Sequence, residues 1–124
     1  MPLEIRRDSS PPTVVLTVTG ELDLASIDAL DSEVDAAIAA DCRHLVFDLG
    51  GLTFCDSTGL GLFVRAHKRL TGRGARFSLA AVQPAVDKVI KLTGLDAALD
   101  IYPDVELART GKHADEPASG GAAP

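Results

Sequence analysis

The chain has 124 residues, 46% hydrophobic but only 4% aromatic, with 18 acidic and 12 basic side chains and a formal net charge of -6. That length suits one small domain rather than two, and the composition predicts a core of Val, Leu, Ile and Ala rather than large rings. The negative charge argues against direct contact with nucleic acid, which needs clustered Lys and Arg.

No run of about 20 apolar residues is present to cross a bilayer, and Met1-Pro2-Leu3-Glu4-Ile5-Arg6-Arg7 lacks the apolar segment of a signal peptide. A cytoplasmic protein without membrane contact is expected. Cys42 and Cys55 have neither metal-ligand nor C-x-x-C spacing, so two reduced thiols are expected. For the chain as a whole no metal and no cofactor are expected.

Leu3 to Arg7 reads as a short edge strand and Asp8-Ser9-Ser10-Pro11-Pro12 as a turn. Thr13 to Thr19 then alternates, with Val14, Leu16 and Val18 on the buried side. Gly20 to Leu24 leads into a helix from about Ala25 to Ala40, whose apolar stripe is Ile27, Leu30, Val34, Ala37 and Ile38, with Asp23 or Ser26 as its cap. Its acidic outer face, Asp28, Asp31, Glu33 and Asp35, reads as solvated.

His44 to Leu49 has the length and apolarity of a central strand, punctuated by Gly50-Gly51. Asp56, Ser57 and Thr58 are helix-capping types, and Leu60, Phe63, Val64, His67 and Leu70 follow at helical spacing toward Thr71-Gly72. Arg76 to Ala80 predicts a strand with Phe77 and Leu79 inward. Pro84 opens a third helix carrying Val86, Val89 and Ile90 and ending at Gly94, with Leu95 packing back. Leu99 to Tyr102 predicts a last strand and Val105 to Ala108 a helical turn. From Arg109 onward the small, polar, Pro and Gly residues predict a disordered tail, 109–124, after a domain of 1–108. Strand and helix alternation predicts an α/β fold with a mixed, largely parallel sheet of four to five strands.

The join at residues 52 to 65 holds the candidate chemistry. By motif alone Asp56-Ser57-Thr58 is a helix cap. An oxyanion on Ser57 would meet the unpaired N-H groups and positive dipole end of that helix. A serine hydrolase needs a base, yet no Gly-x-Ser-x-Gly elbow exists, His44 opens a strand, His67 reads as a packed, hydrogen-bonded core-edge residue, and His113 is in the tail. A phosphoaspartate receiver at Asp48 lacks a lysine after a late strand, and Asp48 reads instead as capping the loop that presents Ser57. Cys55, beside the helix start, reads as a buried apolar filler.

Three segments together resemble, in order and spacing, the STAS domain of bacterial anti-sigma factor antagonists: Gly20-Glu21-Leu22-Asp23-Leu24-Ala25-Ser26, Leu45-Val46-Phe47-Asp48-Leu49, and Phe54-Cys55-Asp56-Ser57-Thr58-Gly59-Leu60-Gly61. The likeness runs from about Leu3 to Leu107 and implies a STAS-like fold and a non-enzymatic, monomeric switch. Its partners would be an anti-sigma factor that is also a serine kinase, and a serine/threonine phosphatase. Ser57 matches the family's phosphoacceptor, Asp56 the residue before it, and Asp23 the acid of the facing loop; Thr58 stands where the family often has serine. The resemblance implies partner contact by Asp23, Ser26, Asp56, Ser57, Thr58, Gly59 and Leu60. The alternative is a STAS-like scaffold that binds a nucleotide or signalling assembly without phosphorylation.

Overall fold

The computed structural model describes residues 2–111 as a five-stranded sheet in the order β1-β2-β3-β4-β5, with β1 antiparallel to β2 and every later pair parallel. In chain order the elements are β1 (Glu4–Ser10), β2 (Thr13–Leu22), α1 (Ile27–Ala39), β3 (His44–Cys55), α2 (Ser57–Thr71), β4 (Arg76–Ala80), α3 (Pro84–Leu92), β5 (Asp100–Tyr102) and α4 (Val105–Thr110), with a 3-10 turn at Leu95–Ala97. Spatial order follows sequence order, so each crossover steps the same way across the sheet. A uniform crossover hand then puts α1, α2 and α3 on one face. Leu30, Val34, Phe63, Leu70, Val86 and Ile90 of these helices accordingly share one core with Leu16, Leu45, Phe47 and Leu79 of the strands.

At the centre of that core three of the four phenylalanines meet, contrary to the expectation of a core without large rings. Phe47 packs edge-on against Phe63, with centroids 5.8 Å apart, and against Phe77 at 4.8 Å. Low aromatic content describes the chain average and says nothing of where its few rings converge.

The opposite face is covered in part by α4. Val15, Val46, Ala80, Tyr102 and Ala108 form a second, smaller core there, which explains why β4 is buried through Ser78 and Ala80 as well as Phe77 and Leu79. The helical turn expected at 105–108 thus extends to Thr110 and includes Arg109, residues assigned to the tail by composition. The remainder of that tail, from 112 on, lies outside the described residues.

Three boundaries differ from expectation, the first two because pairing partners override local turn chemistry. Asp8, Ser9 and Ser10 belong to β1, paired with Val15, Val14 and Thr13, so the hairpin turns on Pro11-Pro12 alone. Polar residues are tolerated there because β1 is a solvated edge. Gly50-Gly51 does not end β3, which continues to Cys55 beside Leu22, with register shifts absorbing the glycines. A Cβ at Gly51 would approach Thr19 Cγ2 to 2.4 Å, so the close strand contact requires glycine. At the end of α2 the left-handed residue is Gly74, φ 76°, while Gly72 stays right-handed.

Under α4, His44 is 6% exposed and its Nε2 lies 2.9 Å from Ser78 Oγ across the β3/β4 pair. Burial, with a further push from the Arg76 guanidinium, lowers its pKa from 6.5 to about 4. The neutral ring therefore stabilises the fold fully above pH 6.5, and that contribution is lost as pH falls toward 4, a change of about 3 kcal/mol. We expect the urea midpoint of the wild type to fall across this window and that of His44→Gln to fall distinctly less; parallel curves would remove His44 as the cause.

Candidate functional site

All four parallel strands end at the same edge of the sheet, so the loops after β2, β3 and β4 gather there. Because β3 pairs with β4 only as far as Asp48 and Ala80 but with β2 as far as Cys55, the last part of β3 rises past its neighbour. It delivers Asp56 to the mouth of α2. Asp56 N donates to Leu22 O at 3.1 Å, tying the two loops together.

Asp56 is the N-cap of α2: its Oδ1 accepts from Thr58 N at 3.0 Å and Gly59 N at 3.1 Å. The Thr58 hydroxyl donates to the same oxygen. That hydroxyl is the main reason the carboxyl is held below its ordinary 3.8, followed by the N-H groups of Gly59, Thr58 and Leu24, against an opposing effect of burial. Asp56 thus stays ionised at neutral pH and joins the β2-α1 loop to the helix start. Its contribution to stability is present above pH 3.8 and lost only as pH falls through its lower folded value. Asp56→Ala is expected to lower the urea midpoint and Asp56→Ser to restore most of the loss, since a serine can still cap. Equal midpoints for Ala and Ser would show the cap to be idle.

Ser57, the first residue of α2, is exposed and its side chain makes no hydrogen bond among the described residues. Thr58 is half-buried with its hydroxyl engaged, which separates two hydroxyls that sequence alone leaves side by side. Gly59 and Leu60 are buried beneath them. A Cβ on Gly59 would lie 2.5 Å from Cys55 Sγ and 2.9 Å from Leu22 Cδ2, so glycine here lets α2 sit down on the sheet.

Across the loop, Asp23 Oδ1 accepts from Ala25 N and Ser26 N, each at 3.1 Å. Ser26 is the N-cap position of α1 but makes no side-chain cap bond; its Oγ donates instead to Glu21 O at 3.0 Å and accepts from Asp23 N at 3.1 Å. Asp23 and Ser26 are therefore a self-contained turn that holds the loop beside Asp56, and α1 begins at Ile27. The seven residues expected at the site do come together, four of them bearing on the surface and Thr58, Gly59 and Leu60 mainly supporting it.

Three neighbouring expectations change or hold on geometry. Asp48 accepts from Gly50 N at 3.1 Å inside β3, so it steadies the bulge and does not cap the loop that presents Ser57. His67 is half-buried as expected, but its Nδ1 has no hydrogen-bond partner among the described residues. Cys55 is 6% exposed, and burial, with Asp56 beside it, pushes its thiol up to about 12, the behaviour of a filler. No group of three or more His, Cys, Asp or Glu among the described residues could hold a metal ion.

Sequence reading missed two surface residues here, Leu24, 73% exposed, and Phe54, 49% exposed. Leu24 follows the Asp23 turn's first residue, and Phe54 pairs with Glu21 after the register shift that turns it away from the core side occupied by Cys55. An apolar residue at a loop and an odd phenylalanine next to a buried cysteine were the only signals, and strand alternation hid the second.

A family model for the STAS domain matches residues 4–108. The chain belongs to the STAS domain family of anti-sigma factor antagonists. The STAS chain is 30% identical over 111 residues to the anti-sigma F factor antagonist of Paenibacillus polymyxa, covering 89% of this chain and 95% of that protein. Another relative is the anti-sigma-F factor antagonist RsfB of Mycobacterium tuberculosis, 29% identical over 97 residues, 78% of this chain and 79% of that one. Among solved structures, an anti-sigma factor antagonist from Mycobacterium paratuberculosis superposes with a TM-score of 0.81 at 30% identity, covering 88% of this chain and 92% of that one. Among the described residues of this STAS domain no helix is long and apolar enough to cross a membrane.

Proposed function

We propose that this STAS domain is a cytoplasmic, non-enzymatic and monomeric anti-sigma factor antagonist, switched by phosphorylation of Ser57. Unmodified, it binds an anti-sigma factor that is also a serine kinase, and the sigma factor held by that partner is released. Phosphorylated, it lets go, and a serine/threonine phosphatase restores it. It contacts no nucleic acid directly.

The observation that carries this reading is the contrast between two adjacent hydroxyls: Ser57 is exposed and uncommitted, whereas Thr58 is half-buried and bonded to Asp56. A kinase needs access to a free hydroxyl, and of these two Ser57 is the one that offers it. A nucleophilic enzyme would need a base instead. His44 stands at the opposite end of β3, and His67 lies ten residues along α2, about 15 Å away by helix rise. Relatives that carry the name anti-sigma factor antagonist support the choice of partner.

Incubation with a purified anti-sigma kinase and ATP, followed by intact mass, tests the reading. The wild type and Thr58→Val should each gain the mass of one phosphoryl group, and Ser57→Ala none. Modification of Ser57→Ala would move the switch to another residue and end the proposal.

A further inference from the structure

We propose that Leu24 and Phe54 are the two apolar anchors of the docking surface around Ser57, and that the partner face they fit is an apolar hollow bordered by Lys or Arg side chains. This rests on the functional reading above and names the surface chemistry that reading leaves open.

Exposure of a large apolar side chain is common singly, so position decides the matter. Among the described residues the exposed large hydrophobics are Leu24, Phe54, Val89 and Leu92. The first two belong to the loop-bearing edge of the sheet that also carries Ser57, Leu24 in the loop tied to Asp56 and Phe54 two residues before Asp56, whereas Val89 and Leu92 lie on α3. Phe54 is also the one phenylalanine outside the core, the other three being at most 1% exposed.

Both anchors are held before any partner arrives. Phe54 lies within β3, in register with Glu21 of β2. Leu24 lies inside the Asp23-Ser26 turn and its own N-H contributes to holding the Asp56 carboxylate ionised. Side chains presented on a fixed backbone lose little further freedom on binding, which is what concentrates affinity in a few residues.

The border of the patch selects the partner's charge. Asp23 and Asp56 stand at it, and Asp28 lies in the first turn of α1. Against them are two basic side chains from Asp8 through Arg65: Arg43, at the opposite end of β3, and Arg65, whose guanidinium reaches back to Gly61 on α2, so acidic groups still outnumber the one cation near the patch. A second copy of this chain would set these carboxylates against one another, so self-association through the face is disfavoured. A cationic rim around an apolar hollow is complementary in both respects and would draw the partner in at low salt. The same layout explains why Ser57 is the place for regulation: a phosphate there adds negative charge between two groups that must shed water to bind.

The test is calorimetric titration of the unphosphorylated protein with a purified anti-sigma kinase, using wild type, Leu24→Ser, Phe54→Ser and the matched control Leu92→Ser. Each anchor substitution should weaken binding by about 10- to 100-fold, and Leu92→Ser by about twofold or less. Circular dichroism should show all three folded, because none removes a buried side chain. Wild-type affinity should also fall with added salt. Near-wild-type binding by both Leu24→Ser and Phe54→Ser, or an equal loss with Leu92→Ser, would overturn the inference. So would sedimentation showing a wild-type dimer that Phe54→Ser dissociates, which would assign the face to a second copy. A wild type that binds no anti-sigma kinase retires the functional reading itself; one that binds, is modified at Ser57 and ignores both substitutions defeats this inference alone.

Discussion

Ser57→Asp is expected to bind the anti-sigma kinase some hundred- to few-thousand-fold more weakly than Ser57→Ala, which should bind as the unmodified wild type does. The reason is a charge with nowhere to go. A helix N-terminus ordinarily welcomes an anion, by about 0.3–1 kcal/mol at an exposed site. At α2, however, the Thr58 and Gly59 N-H groups already donate to Asp56, so a second anion finds the nearest donors taken and a carboxylate beside it. Placing that charge in an interface without a partner costs about 3 to 5 kcal/mol, and each 1.4 kcal/mol is tenfold in affinity. A true phosphate, with about -1.5 to -2 charges, should do at least as much. The folded domain itself need not rearrange, because Ser57 is exposed and its side chain is bonded to nothing among the described residues. Titration of the two variants against the same partner decides it: equal dissociation constants would remove Ser57 from the switch.

Phe47→Ala should be the most damaging single truncation in the core, lowering stability by about 3 to 5 kcal/mol in urea or thermal unfolding. Phe47 is fully buried and stands between Phe63 of α2 and Phe77 of β4, so its loss opens a void that touches three elements and removes two edge-to-face contacts. A small domain has about 5–15 kcal/mol in total, and the variant should be partly unfolded at modest temperature. A loss near 1 kcal/mol would mean that the neighbours close over the gap, and the three-ring cluster would then be incidental.

Much of this architecture is legible in the residues taken locally. Helix α2 announces itself through Asp56 and the spacing of Leu60, Phe63 and Leu70, and α3 through Pro84 and a left-handed Gly94. Alternation marks β2, and the sequential order of strands and helices points to a parallel sheet. What misled was local evidence read as final: Gly50-Gly51 and Asp8-Ser9-Ser10 have turn chemistry, yet both are paired, because a neighbouring strand offers their backbone more than a turn would.

By itself, then, the order of residues determined the element types, the presence of a hydroxyl at a capped helix start and the family resemblance that made Ser57 the residue to watch. Only the folded chain decided that Ser57 is exposed while Thr58 is held, that α4 covers part of the second face of the sheet, and that Leu24 and Phe54 look outward at the same edge as Ser57. Caps and periodicities act within a few residues and can be read along the chain. Exposure depends on which distant segment covers a given face, and that is known only once all the segments have met.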